Sequence, residues 1–536
     1  MAARTTDLLI RGADVLDGTG RPAVRADVLL RGDRIAEIHT KPSRLGATRT
    51  IDAHGLVLCP GFIDMHAHSD LALLTDPEHL AKVAQGITLE VIGQDGLSYS
   101  PVDDAVLDRL REQLAGWNGD PPDLRWDWRT TGEYLDRLDE GIAVNAAYLV
   151  PQGTLRAMTV GWTDRPATDR ELDAMRALLA RSLADGALGM SSGLTYAPGM
   201  YAGTDELVDL CRVVAAAGGY YSPHHRSYGA GAYEAYTEML SVARRSGCPL
   251  HLAHATMNFP VNAGRANDLL ALLDDALADG VDVTLDSYPY LAGATYLSAL
   301  LPGWAAAGGT AATLDRLRDP ALRETIRVEL EETGSDGAHG VPVDWSAIEI
   351  SGVRDARHAP LVGRSVAEAA ADAGQPPATF YFDLLIAERL ATSCLMHVGH
   401  EDNVRAIMRH PAHTMGSDGL LVGSKPHPRA WGTAPRYLGR YVRELGVLDL
   451  PDAVHHLTGR AARRLGLTDR GRIATGFAAD LVLFDPGTVR DTATYDDPRS
   501  APEGIPYVFV NGVPAIEDHR RTSARAGRSI RRRAGS

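Results

Sequence analysis

The chain opens with short runs of apolar residues, continuous or alternating with polar ones, that are separated by turn residues. The runs 7–11, 26–31, 34–39, 49–53 and 56–58 read as strands, and Gly32-Asp33 joins two of them as a hairpin turn does. The other end of the chain has the same character, with runs at 479–484 and 507–510 ahead of the turn Asn511-Gly512. Chain termini often lie close together, so these two β-rich ends are expected to pair into one small β-sandwich.

The pattern changes in the middle. Apolar strands there alternate with stretches of helical period, such as 169–184 and 205–217, which is the signature of a parallel α/β fold. Eight strand candidates can be counted, at 61–68, 88–93, 145–152, 186–191, 219–224, 250–254, 281–288 and 413–418. Eight strand–helix units predict a (β/α)8 TIM barrel. The gap between the seventh and eighth, about 291–390, is too long for a simple loop and predicts an inserted subdomain or lid. The expected division is therefore 1–58 and 471–536 for the two parts of the sandwich, the latter with a basic tail, and 59–470 for the barrel with its insertion.

Composition adds constraints rather than a function. Aromatic residues are only 6% of the 536, so the core must rest on Ala, Val, Leu and Ile. A formal net charge of −15 argues against a nucleic-acid partner covering much of the surface. The tail is the exception, with Arg520, Arg521, Arg525, Arg528, Arg531, Arg532 and Arg533; it reads as a solvated terminal strand and tail, with phosphate binding as the alternative. Cys59, Cys211, Cys248 and Cys394 form no CxxC pair, which fits a reducing compartment. No stretch approaches the roughly 20 apolar residues that span a bilayer, and the first fifteen residues lack the apolar core of a signal peptide. The expectation is a cytoplasmic protein with no membrane partner, its oligomeric state open. Lys41, Lys82 and Lys425 are the only lysines.

Polar residues fall at the ends of the strand candidates, where barrel enzymes place their sites. His66 and His68 are two apart in a strand and so share a face, which suits a pair of ligands for a borderline metal such as zinc. The fifth candidate ends in His224-His225 and the sixth carries His251 and His254; only one imidazole of each pair need face inward. The eighth ends in Ser417-Asp418-Gly419, an aspartate aimed at the same mouth. Four histidines and one aspartate at the ends of four strands point to a metal centre.

The segment PGFIDMHAHSD, the two later histidines and the terminal SDG resemble the amidohydrolase superfamily of metal-dependent barrel hydrolases. GALGMSSGLTYAPGMY with TDEL, DSYPY, HPRAWGTAPRYLGRYVRE and GRIATGFAADLVLFDP are similar to the N-acyl-D-amino-acid deacylases, or D-aminoacylases. The resemblance implies a barrel flanked by a sandwich made from both termini. It also implies one or two Zn2+ ions on His66, His68, His224 and His254, with Asp418 as general base that also touches the metal. Arg429 matches an arginine that grips the substrate carboxylate, and Tyr288 and Tyr290 match tyrosines of the substrate pocket. The implied reaction is hydrolysis of the amide of a small N-acyl-D-amino acid, releasing a carboxylate and the free amine.

Two departures stand out. Many amidohydrolases bridge two metals with a carboxylated lysine, and none of the three lysines lies on a mid-barrel strand end. D-aminoacylases instead commonly carry a cysteine after strand two, where this chain reads Gly93-Gln94-Asp95-Gly96; Asp95 is the candidate bridging ligand, harder than a thiolate. Thr256 stands where relatives often have a lysine, and Lys425 would replace it only if its loop folds inward. Competing readings are a cyclic-amide hydrolase, a deformylase or hydrolase of another N-acyl amine in specialised metabolism, and an inactive barrel that serves as a binding protein.

Overall fold

Eight parallel strands, buried on both faces, close around a common axis in the computed structural model, which describes residues 7–41 and 47–532. Arg533 lies outside the described residues. The strands are Phe62–Asp64, Ile87–Ile92, Asn145–Pro151, Gly189–Gly193, Tyr220–His224, Leu250–Leu252, Val283–Ser287 and His413–Met415. Every residue of Ile87–Ile92 and Asn145–Pro151 is buried, as expected where helices cover one face of a parallel sheet and the barrel core the other. The strands pair in chain order, and the eighth meets the first where Met65 N donates to Met415 O at 3.0 Å. All eight sequence candidates are strands. The first is shorter than expected because the chain leaves the ladder after Asp64, so that His66 and His68 follow a bend at its end.

Helices return the chain between strands. Asp169–Ala184 begins on a reciprocal cap in which Thr168 and Glu171 satisfy each other's backbone N–H groups, and Met175, Leu179 and Leu183 face the barrel. Thr204–Ala216 follows the next strand in the same way, burying Leu207, Leu210 and Val214.

Both termini join one nine-stranded sheet. Val57–Pro60 and Leu481–Phe484 connect its halves as an antiparallel pair, Phe484 opposite Val57 and Leu481 opposite Pro60. Ile10, Val28, Ile35, Leu58, Leu481 and Phe509 fill its core. The hairpin at Gly32-Asp33 forms, with Arg31 opposite Arg34.

Between barrel strands seven and eight the chain builds a three-stranded antiparallel sheet from Ala292–Tyr296, Ile348–Gly352 and Ser393–His397. It has its own core around Leu297, Ile350, Tyr381, Leu385 and Cys394. Its third strand begins only at Ser393, so the insertion extends beyond the expected bound near residue 390.

The end of the chain corrects one expectation. Residues 527–532 are not a solvated tail. Gly527 N donates to Ile142 O at 2.9 Å, Ile530 N to Ala146 O at 2.7 Å and Arg532 N to Gly186 O at 3.0 Å, and Ile530 packs on the barrel's inner core. Backbone groups at the foot of the third strand need partners, and the tail supplies them.

Candidate metal centre

The barrel strands carry their polar residues to one point at their C-terminal ends. His66 and His68 follow strand one, Asp95 follows strand two, His224 ends strand five, and His254 and Asp418 follow strands six and eight. The ligand atoms fall into two groups that share Asp95: His66, His68, Asp95 and Asp418, and Asp95, His224 and His254. Among them His66 Nε2 and His68 Nε2 are 3.3 Å apart, and His68 Nε2 and Asp418 Oδ1 3.1 Å. In the second group His224 Nδ1 and His254 Nε2 are 3.1 Å apart, and Asp95 Oδ2 lies 3.4 Å from His224 Nδ1. Asp95 Oδ1 stands 3.4 Å from both His66 Nε2 and His254 Nε2.

These spacings test whether a cation fits. Nitrogen and oxygen ligands held tetrahedrally at about 2.0–2.1 Å from zinc stand about 3.3 Å from one another. Asp95 Oδ1 is buried and has no hydrogen-bond partner among the described residues, which leaves its charge directed at the imidazoles. Burial disfavours that charge, yet His66, His254 and His224 outweigh it and hold the carboxyl well below its usual range. The donor set therefore fits a divalent cation in each group.

Backbone conformation sets these side chains. Asp95, His254 and Asp418 all adopt left-handed φ values, 53°, 30° and 50°. Such residues are uncommon outside glycine and cost on the order of 1–3 kcal/mol each. The turn after strand two can be so tight only because Gly96 follows Asp95, since a Cβ there would lie 2.4 Å from Gly193 N.

A shell of hydrogen bonds fixes the ligands from behind. Thr195 Oγ1 lies 2.8 Å from His224 Nε2, so Nδ1 is the nitrogen turned to Asp95. Asp286, on strand seven, accepts from His254 N at 2.9 Å, lies 3.7 Å from His66 Nδ1 and contacts His251 Nε2 at 3.0 Å. That settles both histidine pairs, because His251 is a partner of Asp286 and His225 packs outward on Tyr228 and Tyr236. Asp64 accepts from His66 N and from Ser417 N at 3.2 and 2.7 Å, tying strand one to the segment carrying Asp418. Lys82 neutralises Asp64 at 2.7 Å and Glu90 at 2.9 Å, all three fully buried.

Arg429 is buried, its Nη2 3.0 Å from Asp418 Oδ2 and its guanidinium 4.4 Å from the centre of the Tyr288 ring. Its Nε and Nη1 have no partner among the described residues. Burial raises the Asp418 pKa, but Arg429 and His254 lower it further, so the group is a carboxylate at neutral pH. A cavity of about 70 Å3 opens on these groups, lined by Asp95, His224, His254 and Asp418 together with Tyr288. The insertion closes it with Ala294, Thr295, His339, Met396 and Val398, and the barrel adds Tyr196, Tyr228 and Phe259. His339 is kept neutral, its pKa pushed down to about 3 by burial and by His224 and His254. No lysine or arginine lines the cavity among the described residues.

Two candidates fall outside. Tyr290 does not line this cavity: its ring lies under Arg436 and edge-on to His427, and with Tyr288 and His254 it lines a separate small space of about 10 Å3. Lys425 does not fold inward either, since its ammonium pairs with Glu349 of the insertion at 2.7 Å. Sequence reasoning missed Asp286, which the strand period could have found two residues before Tyr288 on the inward face. It also missed His339, for which the insertion offers no periodic signal.

A closed (β/α)8 barrel with histidines and carboxylates converging at its mouth defines a metal-dependent hydrolase. Residues 49–516 match the amidohydrolase family, and the chain belongs to it. A D-aminoacylase of Alcaligenes xylosoxydans xylosoxydans is 36% identical over 533 residues, 98% of each chain. An N-acyl-D-glutamate deacylase of the same organism is 37% identical over 528 residues, 98% of this chain and 96% of the relative. Among solved structures, the N-acyl-D-glutamate deacylase of Bordetella bronchiseptica, complexed with zinc and a phosphonate mimic of the tetrahedral intermediate, superposes with a TM-score of 0.83. It is 32% identical, and the match covers 98% of this chain and all of that one. Among the described residues no helix is long and apolar enough to cross a membrane.

Proposed function

We propose that the chain hydrolyses the amide bond of N-acyl-D-amino acids whose side chain is uncharged, with zinc held by His66, His68, Asp95, His224, His254 and Asp418. The observation that carries this reading is the convergence of both ligand groups on Asp95, with Asp418, which lines the cavity, paired to the buried Arg429. Zinc bound there supplies Lewis acidity, polarising a carbonyl and lowering the pKa of water towards about 7. Asp418 does the proton work: its carboxylate takes the proton of the attacking water and returns it to the leaving nitrogen. Arg429 orients the substrate, since its free Nε and Nη1 offer donors to an α-carboxylate and the Tyr288 ring holds the guanidinium plane. The relatives include enzymes named for D-glutamate and D-aspartate substrates. A second carboxylate would need a cation, and Phe259, Met396, Val398 and neutral His339 supply none.

The test is release of free amine from N-acetyl-D-methionine, N-acetyl-L-methionine and N-acetyl-D-glutamate, with and without a chelator. The D-methionine compound should be turned over best, and chelation or Asp418→Asn should remove about 100-fold or more of the activity. Full activity in chelated protein or in Asp418→Asn would refute the chemistry, and preference for the glutamate compound would refute the side-chain assignment.

A further inference from the structure

A second cavity lies at the opposite face of the barrel, and nothing in amide hydrolysis uses it. Its volume is about 1270 Å3, and its walls include the starts of four strands, at Tyr220, Val283, Ala412 and the residues just before Leu250. Residues 528–532 of the terminal segment form one side and 463–470 another. In a chain of net charge −15, this cavity is lined by eight arginines and only three aspartates. Several of these arginines are neutralised: Arg34 pairs with Asp469 at 2.7 Å, Arg528 with Asp33 at 2.9 Å and Arg531 with Asp139 at 2.7 Å. Arg463 and Arg532 are not. Neither has a carboxylate within 4.0 Å among the described residues, and the one side-chain contact of Arg463 is His455 Nε2 at 3.5 Å. The guanidinium of Arg532 lies over Gly218, where a Cβ would meet it at 2.5 Å, so the missing side chain there lets the charge reach the cavity wall.

Two further observations point to a ligand. Tyr220 is 3% exposed, belongs to the inner core at the foot of the barrel and lines the cavity, yet its hydroxyl has no hydrogen-bond partner among the described residues. The arginines also press on one another: burial, and then the charge of Arg463, pushes Arg460 down to about 10, and burial with Arg528 and Arg34 does the same to Arg470. Arg460 and Arg470 keep acid partners in Asp452 and Asp480, so the charge left without one is that of Arg463 and Arg532, which an anion would balance.

We propose that this foot cavity binds a small molecule carrying two phosphate groups, with Arg463 and Arg532 as its principal contacts. Planar guanidinium forks suit phosphate oxygens bidentately, and a space of this size admits a whole small metabolite rather than a single ion. The proposal is independent of the reaction assigned to the metal centre, which lies at the other end of the strands.

Equilibrium binding to the zinc-loaded full chain tests it, with fructose 1,6-bisphosphate as probe because it is a weak zinc chelator. Saturable binding should appear for the bisphosphate, weaken with added salt, and be much weaker for fructose 6-phosphate and for succinate. Arg463→Glu and Arg532→Glu should each weaken it roughly tenfold or more while leaving amide hydrolysis unchanged. If charge reversal impairs folding, Arg463→Gln with its melting temperature measured beside wild type keeps the test open, and it should also bind more weakly. Binding that is absent, that is unchanged in these variants, or that succinate matches, would overturn the proposal.

Discussion

Asp95 is the residue on which the two ligand groups depend, and replacing it by asparagine isolates its charge from its shape. Its oxygens lie 3.4 Å from ring nitrogens of His66, His254 and His224 and 3.6 Å from that of His68. A unit charge at about 3.4 Å from a single positive charge is worth about 5 kcal/mol at an effective dielectric of about 20. A carboxylate that ligates a divalent cation directly stands nearer than that, so the figure is a lower bound. The asparagine oxygen can still ligate and water can enter, so part of that is recovered. A loss of at least about a hundredfold in affinity for one cation remains expected, equivalent to about 3 kcal/mol. The assay is competition against a chelator of known affinity, with metal per chain measured after dialysis and circular dichroism as the check on folding. Asp95→Cys is the informative companion. A thiolate restores the charge and is the softer ligand, so this variant should retain metal and shift its preference toward softer cations. Unchanged affinity and stoichiometry in Asp95→Asn would refute the argument and leave Asp95 as a turn residue beside Gly96.

Two other outcomes follow from the buried charges. Arg429→Ala should raise KM for an N-acyl amino acid by about tenfold or more, yet have little effect on an N-acyl amine without a carboxylate; equal effects on both would show that Arg429 acts only through Asp418. Lys82→Met strands Asp64 and Glu90 in the interior and should cost about 3–5 kcal/mol, read as a lowered apparent melting temperature. Burial raises the Glu90 pKa, but Lys82 and His79 outweigh it and bring the group from its ordinary 4.5 down to about 2. A depressed carboxylate stabilises the fold above its unfolded pKa and loses that contribution as pH falls. The gap between wild type and Lys82→Met should therefore narrow as pH drops from 4.5 towards 2, and a constant gap would contradict the ion-pair account.

Much of the barrel was legible in the sequence because a parallel strand covered on both sides is buried throughout and mostly apolar, as Ile87–Ile92 is apart from Thr88 and Glu90. His66 and His68 could be paired by the two-residue period alone, and their approach to Asp418 followed from the strand-end rule. The choice between His224 and His225, or His251 and His254, was not legible. It rests on the pleat of one strand and on the bend that gives His254 its left-handed backbone. Tyr288 and Tyr290 share a period yet part company, because the chain leaves the barrel strand after Ser287 and turns Tyr290 under Arg436. The arginine-rich tail looked solvated because charge density is a local property. Its docking depends on unpaired backbone groups of residues 142–146, far away in sequence.

By itself, then, the sequence determined the class of fold, the number of barrel strands and the residue types of the metal centre, since periodicity and strand-end chemistry are written locally. Only the tertiary structure decided that Asp95 stands between two groups of histidines. The same is true of the placing of Lys82 beneath the centre to neutralise Asp64 and Glu90 rather than within it, and of the closing of the cavity by His339 and Met396 of the insertion. Most of these are distances between segments tens to hundreds of residues apart. Such distances are fixed by how layers pack and where buried charges find partners, which no local pattern records.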